Sequence, residues 1–407
     1  MLKGEKNNMK DFEIIKLNAA DEFHSFFNEQ EKKDRWINVY TNELFTTPLE
    51  NNELALYTPG SFAIELPNGV QIEGFADDVT NDEIQSSMTT TKTSVVLPME
   101  NKFQMYPLRY TAWTHLQKRA GLEGRAINST RDRLRAKELA PAKRCTMFNE
   151  TLPLYSDMTK VLIRDGKITA LMSGDEADYA VMPVSRLILT LENELLAQYE
   201  NFEFHGATTN HEITQIVYSL HDESLERSIL NILSSNGALI GKVSVNVQLT
   251  TSDTGNCAAR LTPIIRVDDH VMPIGKPDAV EHKGGSKAMT AFIDMAHRFL
   301  GKYRENIEVL QRLMDVKISY PSSCLQNIVN KINLVGYGKS LRNAKEKLDQ
   351  EFTSCTAYDI YWTLNDMLFE AEETAKAENK TINLYSSIKD QETIGSCLFL
   401  NFKEFDY

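Results

Sequence analysis

The chain has 407 residues, of which 42% are hydrophobic and 25% charged, and its formal net charge is −13. These proportions are typical of folded globular proteins and exclude disordered, collagen-like and disulfide-scaffold classes. No run approaches the roughly 18 apolar residues that span a bilayer, and the N-terminus lacks the apolar centre of a secretory signal. We therefore expect a cytoplasmic protein without a membrane partner. Its five cysteines, none in a CxxC pair, are expected to be reduced.

The first hundred residues predict a mixed helical and strand region. A helix is expected over 19–33, and the alternating runs "SFAIEL" and "VQIEGF" predict a hairpin around Pro67-Asn68-Gly69. The polar stretch "NDEIQSSMTTTKT" is interpreted as a surface connector.

Residues 101–144 predict helices in an unusually basic segment. "PLRYTAWTHLQKRAGL" carries apolar residues at four-residue spacing and ends at Gly121. Asn128 or Ser129 could cap a second helix, "TRDRLRAKEL", which Pro141 would stop. "AKRCTMFNETL" predicts a third, short helix.

The middle of the chain predicts an antiparallel sheet. "KVLIRDGKITALMS" is typical of a hairpin, because Asp165-Gly166 tolerates the positive φ of a type I′ turn. A helix is expected from Pro183 to Tyr199. The runs "FEFHGATT", "EITQIVYSL", "KVSVNVQLTT" and "AARLTPIIRV" then predict strands without β-α-β alternation.

The pattern becomes helical from Ser286, with a long amphipathic helix that Pro321 is expected to close off. We thus predict an α+β fold, with an antiparallel sheet packed with helices and a mainly helical C-terminal portion. The expected divisions are a mixed region over 1–100, an α+β core with the basic segment over 101–315, and a helical region over 316–407.

The basic segment is the strongest functional signal. Residues 101–144 hold eleven Lys or Arg against three acids, a net charge of +8, which leaves −21 on the rest of the chain. Clustered cations beside Tyr106, Tyr110 and Trp113 suit phosphate contacts and base stacking. Such charge could equally pair with acids elsewhere in the chain or on a protein partner. The predicted nucleic-acid contacts are Arg109, Lys118, Arg119, Arg125, Arg131, Arg133 and Arg135.

"EHKGGSK" resembles a phosphate-binding loop but lacks the spacing of the Walker motif. A helix that starts near Ser286 could offer an anion its free N–H groups, with Gly284, Gly285, Ser286 and Lys287 as the candidate residues. The alternative is that Ser286 is an ordinary N-cap and the glycines only let the chain turn.

The sequence contains two further candidates, a metal site and a histidine cluster. Metal spacing motifs are absent, so the acids and histidines over 268–282 favour a solvated acidic turn, and no metal or cofactor is predicted. The histidines on the neighbouring strand-like runs favour structural roles over a ligand or base role. The first group is Asp268, Asp269, His270, Asp278, Glu281 and His282; the second is His205, His211 and His221.

The order of several motifs resembles a phage/plasmid-like family known as a domain of unknown function. These motifs are "GRAIN" at 124–128, the hairpin and helix over 162–195, "TTSDTGN" at 250–256, "HKGG" at 282–285 and "TAYDIYWTLNDML" at 356–368. The resemblance covers about 105–370 and implies a mobile-element origin, an α+β fold and no established catalytic residues.

Together these patterns favour a non-enzymatic phage or plasmid protein that engages nucleic acid, plausibly single-stranded, through the basic segment. The alternative is an oligomeric or phage-particle protein that uses the same segment for protein contacts. An enzyme would require the acids and histidines over 268–282 to hold a metal.

Overall fold

A computed structural model describes residues 13–49, 63–66, 69–100, 102–123, 127, 140–174, 179–199, 201–235, 242–268, 270–334, 336–378 and 383–407. Its strands are β1 (Ile15–Leu17), β2 (Arg35–Tyr40), β3 (Phe45–Pro48), β4 (Ala63–Glu65), β5 (Gln71–Glu73), β6 (Thr93–Pro98), β7 (Phe103–Pro107), β8 (Met158–Arg164), β9 (Lys167–Ser173), β10 (Phe202–Thr209), β11 (Thr214–Leu220), β12 (Val243–Thr251), β13 (Ala259–Val267), β14 (His270–Pro273), β15 (Asp278–Val280), β16 (Lys317–Ile318) and β17 (Cys355–Thr356). Its helices are α1 (Ala20–Lys33), α2 (Asn81–Thr89), α3 (Tyr110–Arg119), α4 (Pro141–Thr151), α5 (Val184–Gln198), α6 (Glu223–Ser235), α7 (Lys287–Leu313), α8 (Pro321–Lys331), α9 (Gly338–Glu351), α10 (Ala357–Ala377) and α11 (Leu384–Ser396).

The largest sheet has seven antiparallel strands in the order β1-β10-β11-β12-β13-β14, and β15 also pairs with β13. Period-two alternation turns Ile216, Tyr218, Val245 and Val247 to one face, where all four are buried. Helices α1, α5, α6 and α7 pack on that inner face. The α+β class with an antiparallel sheet is therefore confirmed.

The other, outer face of this sheet is polar, and α11 covers one end of it. Ile388 of α11 packs with Ile213 and Cys257, and the guanidinium of Arg260 pairs with Glu392. Toward β10 and β1 this face is more exposed, since Lys16 and His205 are exposed there while Asn246 and Gln248 are buried.

A second core lies between two three-stranded sheets, β2-β8-β9 and β3-β6-β7, with α3 and α4 packed on them. Its buried centre includes Val95, Leu116, Phe148 and Val161. The hairpin that joins β8 to β9 is the predicted one, since Asp165 and Gly166 both have positive φ, 48° and 69°.

The mainly helical C-terminal portion is also confirmed. Helices α8 to α11 share one core with the seven-stranded sheet. The hydroxyl of Tyr361 on α10 donates a hydrogen bond to the carbonyl of Pro273 on β14. The proposed divisions at residues 100 and 315 stay predictions. None of the described helices is both long and apolar enough to cross a bilayer.

Two local predictions were wrong. The stretch over 81–93 is not a connector, because α2 forms there. Thr80 and Glu83 form a capping box at its start, in which each side chain accepts a hydrogen bond from the other's backbone N–H. Ile84 and Met88, one turn apart, are buried. Pro321 does not close the long helix, which ends at Leu313. It instead opens α8, in the first turn where proline has no N–H to lose.

All five cysteines are buried, with at most 7% of each residue exposed. Burial raises the pKa of Cys257, Cys324, Cys355 and Cys397 to about 12, so the reactive thiolate is scarce at neutral pH. We expect a chromogenic thiol reagent to modify the native protein at least roughly 100-fold more slowly than the unfolded protein. Rapid native labelling of any cysteine would contradict this burial.

Candidate functional site

The described part of the basic segment is largely engaged within the protein. Arg109 is 3% exposed, and its Nε donates a hydrogen bond to the Thr169 hydroxyl at 3.1 Å. The Arg119 guanidinium pairs with the Asp157 carboxylate at 2.6 Å. Lys118 is exposed. The other predicted contacts, Arg125, Arg131, Arg133 and Arg135, lie outside the described residues.

The aromatic residues of this segment belong mainly to the second core. Tyr106 is fully buried and Trp113 is 4% exposed, with the guanidinium carbon of Arg144 5.0 Å from its ring centroid. Tyr110 is half exposed. Of the three predicted stacking residues, Tyr110 alone presents a ring to solvent.

The Gly284-Gly285 turn leads directly into α7. Both glycines have positive φ, 83° and 61°, which explains their presence. The N–H groups of Lys287 and Ala288 already bind the carbonyls of Gly284 and Gly285, and the Ser286 side chain makes no capping hydrogen bond. These two N–H groups are therefore occupied, and the anion site over residues 284–287 stays a prediction.

The acids and histidines over 268–282 diverge. Asp278 pairs with Lys302, Glu281 with Lys283, and His270 faces Asp366, while His282 is buried. Throughout the described ranges, no three His, Cys, Asp or Glu side chains group as metal ligands. Asp268 lies in the turn before β14, and Asp269 falls outside those ranges.

The three strand-associated histidines have different surroundings. His211 is buried in the turn between β10 and β11, and His221 lies beyond β11 with its Nε2 3.9 Å from the Glu203 carboxylate. His205 is exposed on β10 and faces a pocket.

This pocket, of about 270 Å³, opens on the outer face of the seven-stranded sheet. Its position follows from the strand register: Lys16 pairs with Thr208, Thr208 with Gln215, and Val217 with Gln248, so their side chains share one face. We call it the sheet pocket. Its nitrogen-bearing lining residues are Lys16, His205 and Arg266 together with the amides Asn18, Gln215, Asn246, Gln248 and Gln391.

The electrostatic character of the sheet pocket is opposite to that of the chain. None of the described Asp or Glu residues lines it, although the whole chain carries a net charge of −13. Its apolar surface comes from Val217, Ile264 and Val271. The pocket therefore combines positive charge, amide hydrogen-bonding groups and a small apolar area.

A β-bulge places one of the pocket's nitrogen groups. The register of β10 against β11 shifts between Phe204 and Gly206, so His205 is the extra residue, and a bulge re-aims such a side chain. The guanidinium of Arg266 donates a hydrogen bond to Nε2 of His205. Because Arg266 lies on β13, this contact reaches across β12 and β11. Burial and the Arg266 charge lower the pKa of His205 below its ordinary value.

A buried amide, Gln248, lines the sheet pocket. Gln248 is 3% exposed, and its Nε2 donates to the Thr250 hydroxyl at 3.3 Å. On the neighbouring strand, opposite Gln248 but outside the pocket lining, the buried Thr262 hydroxyl lacks a partner among the described residues. Buried polar groups are nearly always paired, so the unpaired hydroxyl of Thr262 marks an incompletely satisfied polar area next to the pocket.

A second polar cluster joins several motifs that the sequence singled out. Arg164 of "LIRDGK", with its side chain 3% exposed, donates to the Asp34 carboxylate at 2.7 and 2.5 Å and to Asp253 of "TTSDTGN" at 2.8 Å. The Tyr179 hydroxyl donates to the Asp253 carbonyl at 2.7 Å, and its ring stacks on His282 of "HKGG". Burial raises the pKa of Asp34 despite the attraction of Arg164. All three charged groups are paired, so we assign this cluster to structure.

Sequence reasoning missed both features. The only available signal for the sheet pocket was the series of amides at alternate positions of "KVSVNVQLTT", which the period-two pattern places opposite the buried face. Comparisons of the chain with protein-family models, with curated proteins and with solved structures found no match.

Proposed function

We propose that the protein binds single-stranded nucleic acid and that the sheet pocket receives one nucleotide of the strand. The observation that carries this proposal is a pocket lined by cations and amides, without a described carboxylate, in a chain of net charge −13. Such a lining attracts anions, and phosphate is the anion that nucleic acids present.

The groups of the sheet pocket match the parts of a nucleotide. Lys16 and Arg266 suit a phosphate, as a point charge and as a planar fork of donors. Amide side chains carry both a donor and an acceptor, so Gln215 and Gln248 suit the edge of a base. Val217 and Ile264 offer an apolar surface to a ring. Neither amide chemistry nor apolar area would be needed for a simple inorganic anion.

The volume of the pocket favours a single unit of an unpaired strand. At about 270 Å³ it lies below the roughly 300 Å³ at which pockets for drug-sized ligands begin. A dinucleotide cofactor would not be enclosed. A base inside a duplex is stacked and paired and cannot enter, whereas bases of single strands can be splayed into protein sites.

The basic segment is assigned an auxiliary part in this proposal. Lys118 and Lys143 are exposed and could extend the path of the strand, while Arg109 is buried and is left out. A non-enzymatic role in the cytoplasm of a bacterial host, and the phage or plasmid origin implied by the resemblance, stay predictions of the same kind.

The proposal predicts salt-sensitive binding of an oligonucleotide. With a labelled single-stranded oligonucleotide, fluorescence anisotropy should show that the affinity falls as the salt concentration rises. For two phosphate contacts on a single strand, the slope of the logarithm of the association constant against the logarithm of the salt concentration should be about −1.4 or steeper. Undetectable binding at low ionic strength, or salt-independent binding, would overturn the proposal. Light scattering on the same samples separates the alternative: salt-sensitive self-assembly that the oligonucleotide does not change indicates an interaction protein.

A further inference from the structure

We propose that the sheet pocket takes up a proton when it takes up a phosphate group, with His205 as the residue that gains the proton. This inference rests on the proposed function, since it concerns the regulation of the same site. It makes nucleic-acid binding stronger in mildly acidic conditions.

The geometry provides a direct contact between Arg266 and His205. In the free protein the Arg266 guanidinium donates to Nε2 of His205, which requires a neutral imidazole with its proton on Nδ1. The contact crosses two strands of the outer face, because Arg266 belongs to β13 and His205 to β10. Arg266 and His205 both line the sheet pocket.

A phosphate in the pocket competes with His205 as the hydrogen-bond acceptor for Arg266. The anion accepts hydrogen bonds from Arg266, which then no longer needs the imidazole as an acceptor. A protonated His205 would repel Arg266 but would donate to the same phosphate. Binding an anion and binding a proton at Nε2 thus favour the same arrangement.

The charged groups around His205 decide the direction of the effect. Arg266 on β13 disfavours its protonation, and Glu203, two residues away on β10, favours it. Lys16 on β1 lines the same pocket. Glu203 is exposed and also faces His221 at 3.9 Å, so its influence is shared and screened. In the free protein, burial and Arg266 hold the pKa of His205 below its ordinary value.

The sign of the pH dependence follows. The pKa of His205 is low in the free protein and rises when a negative phosphate lies beside it. Between those two pKa values binding takes up a proton, so affinity increases as pH falls, by at most tenfold per pH unit for one group. Above the higher pKa the proton no longer contributes.

The test measures oligonucleotide affinity between pH 8 and pH 5.5 at constant ionic strength. The oligonucleotide carries no terminal phosphate, so that only phosphodiesters are present and the ligand charge is fixed. We expect roughly tenfold tighter binding at the acidic end. His205→Gln should reduce that ratio to less than about twofold, whereas the matched control His221→Gln, outside the pocket, should retain it.

A direct readout accompanies the affinity series. The NMR titration of the His205 ring should show its pKa rising on addition of the oligonucleotide. Wild-type binding that does not vary with pH, a His205→Gln variant that keeps the full ratio, or an unchanged His205 pKa would overturn the inference while leaving the proposed function standing. Absence of binding at every pH would overturn the proposed function and the inference together.

Discussion

Replacing Arg164 with alanine is expected to destabilise the folded protein by about 3–5 kcal/mol, because it leaves buried carboxylates without their cation. Asp34 and Asp253 have side chains only 11% and 15% exposed, and both accept hydrogen bonds from this one guanidinium. Denaturation in urea, followed by circular dichroism, measures the change in free energy of unfolding.

An exposed ion pair supplies the control for this substitution. Arg227 pairs with Glu223 one turn away on α6, with both side chains more than three-quarters exposed, so Arg227→Ala should cost less than about 1 kcal/mol. Combining Arg164→Met with Asp34→Asn and Asp253→Asn removes all three charges and should be less destabilising than Arg164→Ala alone. Equal costs for Arg164→Ala and Arg227→Ala would mean that the cluster contributes no special stability.

The size of this effect reflects the place of Arg164 in the fold. Arg164 is the last residue of β8. It binds Asp34, which follows α1 and is 130 residues away in the chain, and Asp253, which lies between β12 and β13 and is 89 residues away. The seven-stranded sheet and the second core meet at this cluster. Loss of the arginine therefore weakens the contact between the two cores as well as one ion pair.

Local patterns in the sequence predicted most of the secondary structure. β10 coincides with "FEFHGATT", and β12 and β13 begin one residue inside the predicted runs, because alternation, turn dipeptides and helix caps act within a few residues. The helix α2 was missed since its apolar signal consists of Ile84 and Met88 in an otherwise polar stretch. A capping box was its main signature.

The candidate sites depended on contacts that no local pattern contains. The count of positive charges over 101–144 was correct, but the partners of Arg109 and Arg119 are Thr169 and Asp157, 60 and 38 residues away. The sheet pocket likewise combines residues of six strands with Gln391 of α11. Alternation indicates which residues share a face, while tertiary packing decides which part of that face stays open.

Reversing the charge of Arg266 is expected to weaken oligonucleotide binding roughly 100-fold, which corresponds to about 3 kcal/mol. Arg266→Glu removes a phosphate donor and places a carboxylate in a pocket that has none among its described lining residues. The salt slope should also fall by about one phosphate contact. Anisotropy at pH 8 measures both quantities while His205 is neutral.

Lys118→Glu is the matched control, since it makes the same change of charge at an exposed position of the basic segment, outside the pocket. If the sheet pocket is the main site, this variant should lose less than about tenfold, because an exposed charge in water and salt acts weakly over distance. The opposite ranking, with Lys118→Glu abolishing binding and Arg266→Glu leaving it intact, would transfer the site to the basic segment. Equal losses would indicate that the strand contacts both surfaces, because each reversal then removes one of the phosphate contacts that set the salt slope.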